Sequence, residues 1–288
     1  MTDKKDRISI PYLMLASAGV ILFIRQLLNI TVSKHTIVSS KIPESFDGFK
    51  ILHLSDLHNN RLLCRDDRLF HRIKELAPDI MVITGDIVDS FAPQLEIVYD
   101  FAAKIAKICD VYYIPGNHEA RILQRDILFR QLKNAGVKLL FDSREGIIRN
   151  NDRITITGLM DPKFEQKKTI RRIPDNMHVT LKLRELPPLE DNLFNILLSH
   201  RPEHFAIYAN YYYDLIMTGH AHGGQWRFPV IGAVFSPGQG LFPAYTSGVY
   251  RTNESCMVVS RGLGNTKLPL RINNPFELAL VTLRSSKE

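Results

Sequence analysis

Five short stretches of this chain hold side chains able to offer lone pairs to a metal ion. Residues 51–60 read ILHLSDLHNN, with Asp56 and His58 two apart at the end of an apolar run. Gly85-Asp86 follows, with Asp89 three residues later, and then Gly116-Asn117-His118-Glu119, Ser199-His200 and Gly219-His220-Ala221-His222. On an extended chain residues i and i+2 point to one side, so Asp56 and His58 are expected to face the same way as their strand closes. Alone, that pair equally fits a loop acid beside a surface histidine. Five such clusters at one edge would bury many carboxylates and imidazoles together, which is costly unless cations bind them. Asp, Asn and His without Cys suit Mn, Fe or Zn better than a sulfur-rich site. There are too many ligands for one tetrahedral ion. Two ions about 3.5–4 Å apart would use them all, in the arrangement usual for phosphate ester hydrolysis.

The elements that must position these residues alternate. FKILHLSDLH (49–58), PDIMVITGDIVDS (78–90) and VYYIPGNHE (111–119) read as strands. Between and after them come a short amphipathic helix over Arg68–Leu76, a helix over Gln94–Ile108 and a third over Arg121–Asn134, stopped by Gly136. Strand and helix in alternation imply a parallel or mixed sheet with helices on its faces, and ligands collect outside the carboxyl ends of such strands. Glycines before Asp86, Asn117 and His220 are expected to let the backbone turn sharply there. The second half is richer in strands: VKLLFD, RITITGL, NILLSH, DLIMTGH and ESCMVVS. The two halves are expected to form two facing sheets. Lys163 to Arg184 reads as irregular and basic, either a solvated loop or a contact for an anionic substrate or lipid headgroups.

The 288 residues, 45% hydrophobic, allow one large domain or two small ones. Cys64, Cys109 and Cys256 are scattered and odd in number, which argues against a disulfide framework or a zinc ribbon. A net charge of +7 suits an anionic partner such as a phosphorylated substrate, a membrane surface or nucleic acid. Without a basic tail or an RNA-binding aromatic signature, nucleic acid is the weakest of these. The segment Ile8 to Ile24 carries no charge and is bracketed by Arg7 and Arg25. As a helix it would span about 26 Å, near the lower limit for crossing a bilayer. Cleavage after Ala16-Ser17-Ala18 would leave only a short apolar region before the cut, so an uncleaved anchor is the better reading. Basic residues lie on both sides of the segment and leave its orientation open. The expected organisation is a membrane anchor over residues 1–30, a linker with an incoming strand over 31–47, and a catalytic domain over 48–288.

The ordered set D-x-H, GD-x-x-D, GNHE, H and GH-x-H, over residues 56–222, closely resembles the calcineurin-like metallophosphoesterase family. GHAHGGQW and the late SRGLGNTKLPLRINNPFELALVTL are similar to a membrane-associated bacterial subgroup, the YaeI- and YkuE-like proteins. The resemblance implies an α/β fold, a four-layer α/β/β/α sandwich of two facing mixed sheets, here preceded by one N-terminal transmembrane helix. It implies two divalent ions, Mn foremost and Fe or Zn as alternatives. Asp56, His58 and His222 would hold one ion; Asn117, His200 and His220 would hold the other; Asp86 would bridge them. His118 would be the catalytic acid, protonating the leaving oxygen while a hydroxide bridging the ions attacks phosphorus. Asp89 and Glu119 look like supports, and His53, His71, His178 and His204 match no family position and read as structural. The implied activity is hydrolysis of a phosphodiester or phosphomonoester. One alternative is a membrane-associated pyrophosphatase acting on a lipid-linked nucleotide such as UDP-diacylglucosamine, suggested by the anchor and the apolar run from Trp226 to Phe242. Another is a non-catalytic binding protein of the same fold. The partners implied are a phosphorylated small molecule or lipid and the cell membrane, with the domain leaning to the extracytoplasmic side; no protein partner is implied.

Overall fold

The computed structural model describes Tyr12, Met14, Ser17 and residues 30–166, 173–252, 255–265 and 270–286. The chain order opens with β1 (Ile30–Ser39), β2 (Lys50–Leu54), α1 (Arg61–Cys64), α2 (Asp67–Leu76), β3 (Ile80–Thr84) and α3 (Leu95–Ile105). Then follow β4 (Asp110–Ile114), α4 (Arg125–Asn134), β5 (Val137–Leu139), β6 (Ser143–Arg149), β7 (Asp152–Gly158) and α5 (Lys163–Gln166). Next are α6 (Asp175–Glu185), β8 (Asn195–Leu198), α7 (Phe205–Ala209), β9 (Leu215–Thr218), β10 (Arg227–Phe228) and β11 (Gly232–Ala233). The chain closes with β12 (Phe235–Ser236), β13 (Gly240–Leu241), β14 (Gly248–Thr252), β15 (Ser255–Val259) and β16 (Phe276–Ser285).

Two six-stranded sheets result, in the orders β1-β16-β2-β3-β4-β5 and β14-β15-β9-β8-β7-β6. Ile51, Val82 and Tyr112 of the first sheet pack against Ile154, Ile196 and Met217 of the second, so the central core lies between the sheets. The outer face of the first sheet is covered by Phe70, Ile73, Phe101 and Leu128 of its helices. The outer face of the second is covered by Val179 and Leu183 of α6 and Phe205 and Tyr208 of α7. Each central strand is thus buried on both faces, which is why β3 and β9 read as unbroken apolar runs. The expected layering of helix, sheet, sheet and helix is present.

Two expectations are corrected. The halves do not separate cleanly: VKLLFD pairs as β5 with β4, and the C-terminal β16 crosses back into the first sheet between β1 and β2. The strand expected within 31–47 is β1, which starts at Ile30 and runs parallel to β16 over ten residue pairs. The stretch Lys163–Arg184 contains α6, which buries only His178, Val179 and Leu183 and so leaves no continuous apolar stripe to read. Its Lys167, Lys168, Arg171 and Arg172 lie outside the described residues. So does nearly all of the expected transmembrane helix. Among the described residues no helix is long and apolar enough to cross a membrane.

Candidate metal centre

Asp56 and His58 do not lie on the strand. β2 ends at Leu54, and both residues adopt left-handed backbone (φ 50° and 48°) in the loop beyond it. Asp86, His220 and His222 do the same, at φ 52°, 63° and 47°. A left-handed non-glycine residue costs about 1–2 kcal/mol, and five of them around one point need an opposing constraint. Cross-loop backbone hydrogen bonds supply it: Asp56 N–H donates to Gly85 O (3.0 Å), His58 N–H to Asp86 O (3.0 Å) and Asn59 N–H to Ile87 O (3.1 Å). The ladder between β2 and β3 thereby continues past the strand ends.

The preceding glycines serve two different ends. Gly85, at φ 94°, turns the chain as expected. Gly116 and Gly219 are not turn residues of that kind; they allow close approach. A Cβ at Gly116 would overlap Asp86, and one at Gly219 would overlap Ser55 and Asp56.

Around these loops two separate sets of ligand-type atoms converge, Asp56-His58-His222 and Asp86-His200-His220, and a third, His58-Asp86-His118, overlaps both. His222 Nε2 lies 3.4 Å from Asp56 Oδ1 and 3.3 Å from His58 Nε2. Asp86 Oδ2 lies 3.2 Å from His200 Nε2 and 3.9 Å from His58 Nε2, between the two sets. His200 Nε2 is 3.1 Å from His220 Nδ1 and 3.2 Å from Asn117 Oδ1. Neighbouring ligands of one ion, each about 2.0–2.2 Å from it, are separated by roughly 3 Å or a little more, so these spacings fit divalent cations. All seven side chains are buried.

Protonation fits as well. Burial pushes His58 down to about 4 and holds His220 and His222 well below the ordinary imidazole range, leaving neutral rings with free lone pairs. Burial acts on Asp86 in the opposite sense, but the charges of His200 and His118 outweigh it and hold the carboxyl well below its usual range. His200 is likewise opposed by burial; in the metal-free protein the Asp86 charge and hydrogen bond nonetheless raise it to about 10. Its Nδ1 lies 2.7 Å from Thr84 O, which takes the Nδ1 proton and leaves Nε2 facing the other ligands.

Supporting groups fix the loops. Glu119 is buried, and its carboxylate accepts N–H groups from Asp86 (2.9 Å), Gly116 (2.6 Å) and Val88 (3.1 Å), bracing the loops after β3 and β4. Glu119→Gln replaces one of those acceptors with an NH2 that faces donors. The expected result is a folded protein whose metal affinity, followed by Mn titration, falls about 10–100-fold. Asp56 accepts from Ser55 Oγ (2.6 Å) and from His220 N–H (3.0 Å).

His118 stands apart. Its backbone N–H donates to Asp86 Oδ1 (2.8 Å), and its Nδ1 accepts the Ser90 N–H (3.0 Å). In the neutral ring the proton therefore resides on Nε2, which suits a donor and not a ligand. That nitrogen lies 4.0 Å from Asp86 Oδ2. Asp89 Oδ1 is 3.6 Å from Nδ1. The four histidines read as structural lie elsewhere: His53 is buried and pairs with Thr84 Oγ1 (2.8 Å), His71 is exposed beside Glu75, and His178 and His204 are buried.

The calcineurin-like phosphoesterase family matches residues 49–224. The chain belongs to that family. It is 32% identical over 274 residues to the uncharacterized metallophosphoesterase YkuE of Bacillus subtilis, covering 89% of this chain and 86% of the relative. It is 27% identical over 241 residues to the phosphodiesterase YaeI of Escherichia coli K12, covering 82% of each. The fold is shared with TT1561 of Thermus thermophilus, with a TM-score of 0.50 and 11% identity, over 75% of this chain and 90% of that one. The phosphoesterase is accordingly a metal-dependent phosphoric ester hydrolase whose Asp and His clusters can bind metal.

Its site opens into a cleft of about 850 Å³. Arg121, Lys163 and Arg201 line the cleft beside the histidines; Lys163 opens the basic stretch, and Arg121 and Arg201 carried no signal in the local sequence pattern. Arg201 is buried and clamped by Asp161 through Nε (2.6 Å) and Nη2 (3.3 Å). Arg271, also buried, reaches within 3.4 Å of His222 Nδ1. Lys163, which also pairs with Asp175 (3.7 Å), gives the basic stretch one residue at the cleft, and Lys182 pairs with Asp142, Glu165 and Glu185.

Proposed function

We propose that this phosphoesterase hydrolyses a phosphate ester, a phosphodiester foremost, with two divalent ions held between the sheets. The observation that carries this is the convergence of seven buried ligand-type side chains on one cleft, with Asp86 shared between two sets. Asp56, His58 and His222 would hold one ion and Asn117, His200 and His220 the other. Bound there, the ions supply Lewis-acid charge for the phosphoryl oxygens and acidify a water. The remaining work falls to the chain. Arg121, Lys163 and Arg201 place positive charge along the cleft to receive the ester's anion. His118 directs its Nε2 proton at the leaving oxygen. For a full transfer the ring must carry a second proton, on Nδ1, which means giving up the Ser90 N–H. Asp89, 3.6 Å away, is the carboxylate positioned to accept a hydrogen bond from that Nδ1–H and stabilise the imidazolium, which becomes the neutral ring once Nε2 has given its proton to the leaving oxygen.

Mn is the better choice than Mg, since the set is rich in imidazole and Mg prefers oxygen and retained waters. The test is hydrolysis of bis(p-nitrophenyl) phosphate and p-nitrophenyl phosphate by metal-stripped protein reloaded with Mn, Fe, Zn or Mg. Activity that persists undiminished in chelator refutes the proposal. The same chelation is expected to lower Tm. At a hundredfold excess over Kd, an ion that binds only the folded chain adds about 2.7 kcal/mol, or about 5–10 °C per site.

An amphiphilic substrate is a second reading. It is favoured by the apolar part of the cleft lining, which includes Trp226, Val234, Phe235 and Leu241. The uncharged Ile8–Ile24 segment would hold such an enzyme at the cell membrane, where that substrate resides.

A further inference from the structure

Two small hairpins follow the last ligand loop: β10 with β11, and β12 with β13. The β10–β11 turn and the C-terminal end of β13 carry large apolar residues in full view of solvent. Val230 is 107% exposed and Ile231 62%, while Leu241 and Phe242 are each 69% exposed. Two of these are also strained: Val230 has φ 71° and Phe242 φ 52°. A left-handed turn position favours Gly, Asn or Asp, and a β-branched residue there is an outlier. These positions thus carry apolar bulk that solvation opposes, and at Val230 and Phe242 the backbone geometry opposes it as well. Leu62 on α1, Phe91 and Leu123, which follow the site residues Asp56, Asp86 and Asn117 in the chain, are 60%, 61% and 92% exposed.

The chain's own course indicates what covers this rim. β1 and β16 run parallel with Ile30 opposite Phe276, and β16 runs antiparallel to β2 with Ala279 opposite His53. Ile30 therefore lies at the carboxyl edge of β2, the edge that carries Asp56. The segment leading into β16 also holds the hairpins: Arg227 N–H donates to Ile272 O (2.9 Å), and Trp226 Nε1 donates to Leu270 O (3.0 Å). The uncharged Ile8–Ile24 segment is separated from Ile30 by five residues, a reach of at most about 18 Å. An anchor so short-tethered brings the bilayer to the same edge as the cleft mouth and the apolar tips.

We propose that the β10–β11 and β12–β13 hairpins are a membrane-docking element, which enters the acyl region of the bilayer and sets the cleft mouth on its surface. The substrate is then a phosphoester of a membrane lipid, with its phosphate toward Arg121 and Lys163 and its chains along Trp226, Phe235 and Leu241. This deepens the second reading above and rests on the phosphoesterase activity proposed there.

The chain contains a single tryptophan, Trp226, so Trp226→Phe with Ile231→Trp leaves one indole at the hairpin tip. The full chain carrying this pair is placed in vesicles of phosphatidylcholine and phosphatidylglycerol with acyl-brominated lipid. Quenching by the brominated lipid, with loss of access to aqueous acrylamide, is expected. An indole that stays open to acrylamide and is untouched by bromine overturns the proposal. So does one shielded from both, since a second copy or another protein would then cover the tip.

A kinetic arm uses the full chain with Val230→Glu and Ile231→Glu, at positions outside the cleft lining. Hydrolysis of vesicle-embedded phosphatidyl-p-nitrophenol should fall about tenfold or more, because a carboxylate is costly in the acyl region. Hydrolysis of water-soluble bis(p-nitrophenyl) phosphate should be unchanged. Equal rates on the embedded lipid for variant and parent overturn the docking proposal. Failure of the parent on both esters overturns the activity proposal instead, and the fluorescence arm still decides the docking.

Discussion

Asp86→Asn is expected to strip this phosphoesterase of metal. Asp86 lies between the two ligand sets, with Oδ2 3.2 Å from His200 Nε2 and 3.9 Å from His58 Nε2, and it is fully screened from solvent. Asn preserves size and an oxygen, so the His118 N–H (2.8 Å to Asp86 Oδ1) keeps an acceptor and the loop need not move. What is lost is the negative charge that two neighbouring cations would share there. A neutral amide cannot offset their repulsion in a site this dry. Metal per chain, measured on purified protein, should drop from about two ions to one or fewer in this arrangement. The fall in kcat/KM should exceed the roughly 10–100-fold that changing an outer partner of a metal ligand costs. Retention of both ions with full activity would remove Asp86 from the bridging position.

His118→Ala should fail differently. Its Nδ1 is occupied by the Ser90 N–H, and its Nε2 proton faces the cleft, so the ring is expected to leave metal content unchanged. Removing a general acid typically costs about 10²–10⁴-fold. The loss should depend on the leaving group. A nitrophenolate leaves with little protonation and should be slowed far less than an alkoxide. If both esters slow equally while the ions remain, His118 is a neutral hydrogen-bond donor to the phosphoryl oxygen and not an acid, and the Ser90 contact is then its permanent state. Loss of metal would make it a ligand. Burial, partly offset by the Asp86 charge, already holds His118 below the ordinary imidazole range, so the doubly protonated ring depends on Asp89.

The ligand residues were legible because the signal is local. A strand buried on both faces reads as an apolar run, and a carboxylate or imidazole at its end needs a cation or a solvent path. Asp56, Asp86, Asn117, His200 and His220 each follow such a run, at the end of β2, β3, β4, β8 and β9, respectively. How they are presented was not legible. Extended geometry accounted for the spacing of Asp56 and His58, yet both lie past the strand in left-handed backbone, held by hydrogen bonds to the loop after β3. Gly116 and Gly219 looked like turn residues, and their need for a missing Cβ arises from Asp86 and from Ser55 with Asp56, the latter pair more than 160 residues from Gly219.

The sequence by itself determined the candidate ligand clusters, the alternating elements and the family, since each rests on short local motifs in the chain. Tertiary structure decided the rest. β16 lies between β1 and β2 because its pairing is fixed by contacts more than 200 residues distant, which no local periodicity encodes. Arg121, Lys163 and Arg201 gained a common cleft only when loops from both sheets met. The apolar run from Trp226 to Phe242 could have been core. Val230, Ile231, Leu241 and Phe242 are exposed because hairpins of two residue pairs each are too short to bury every apolar side chain they carry.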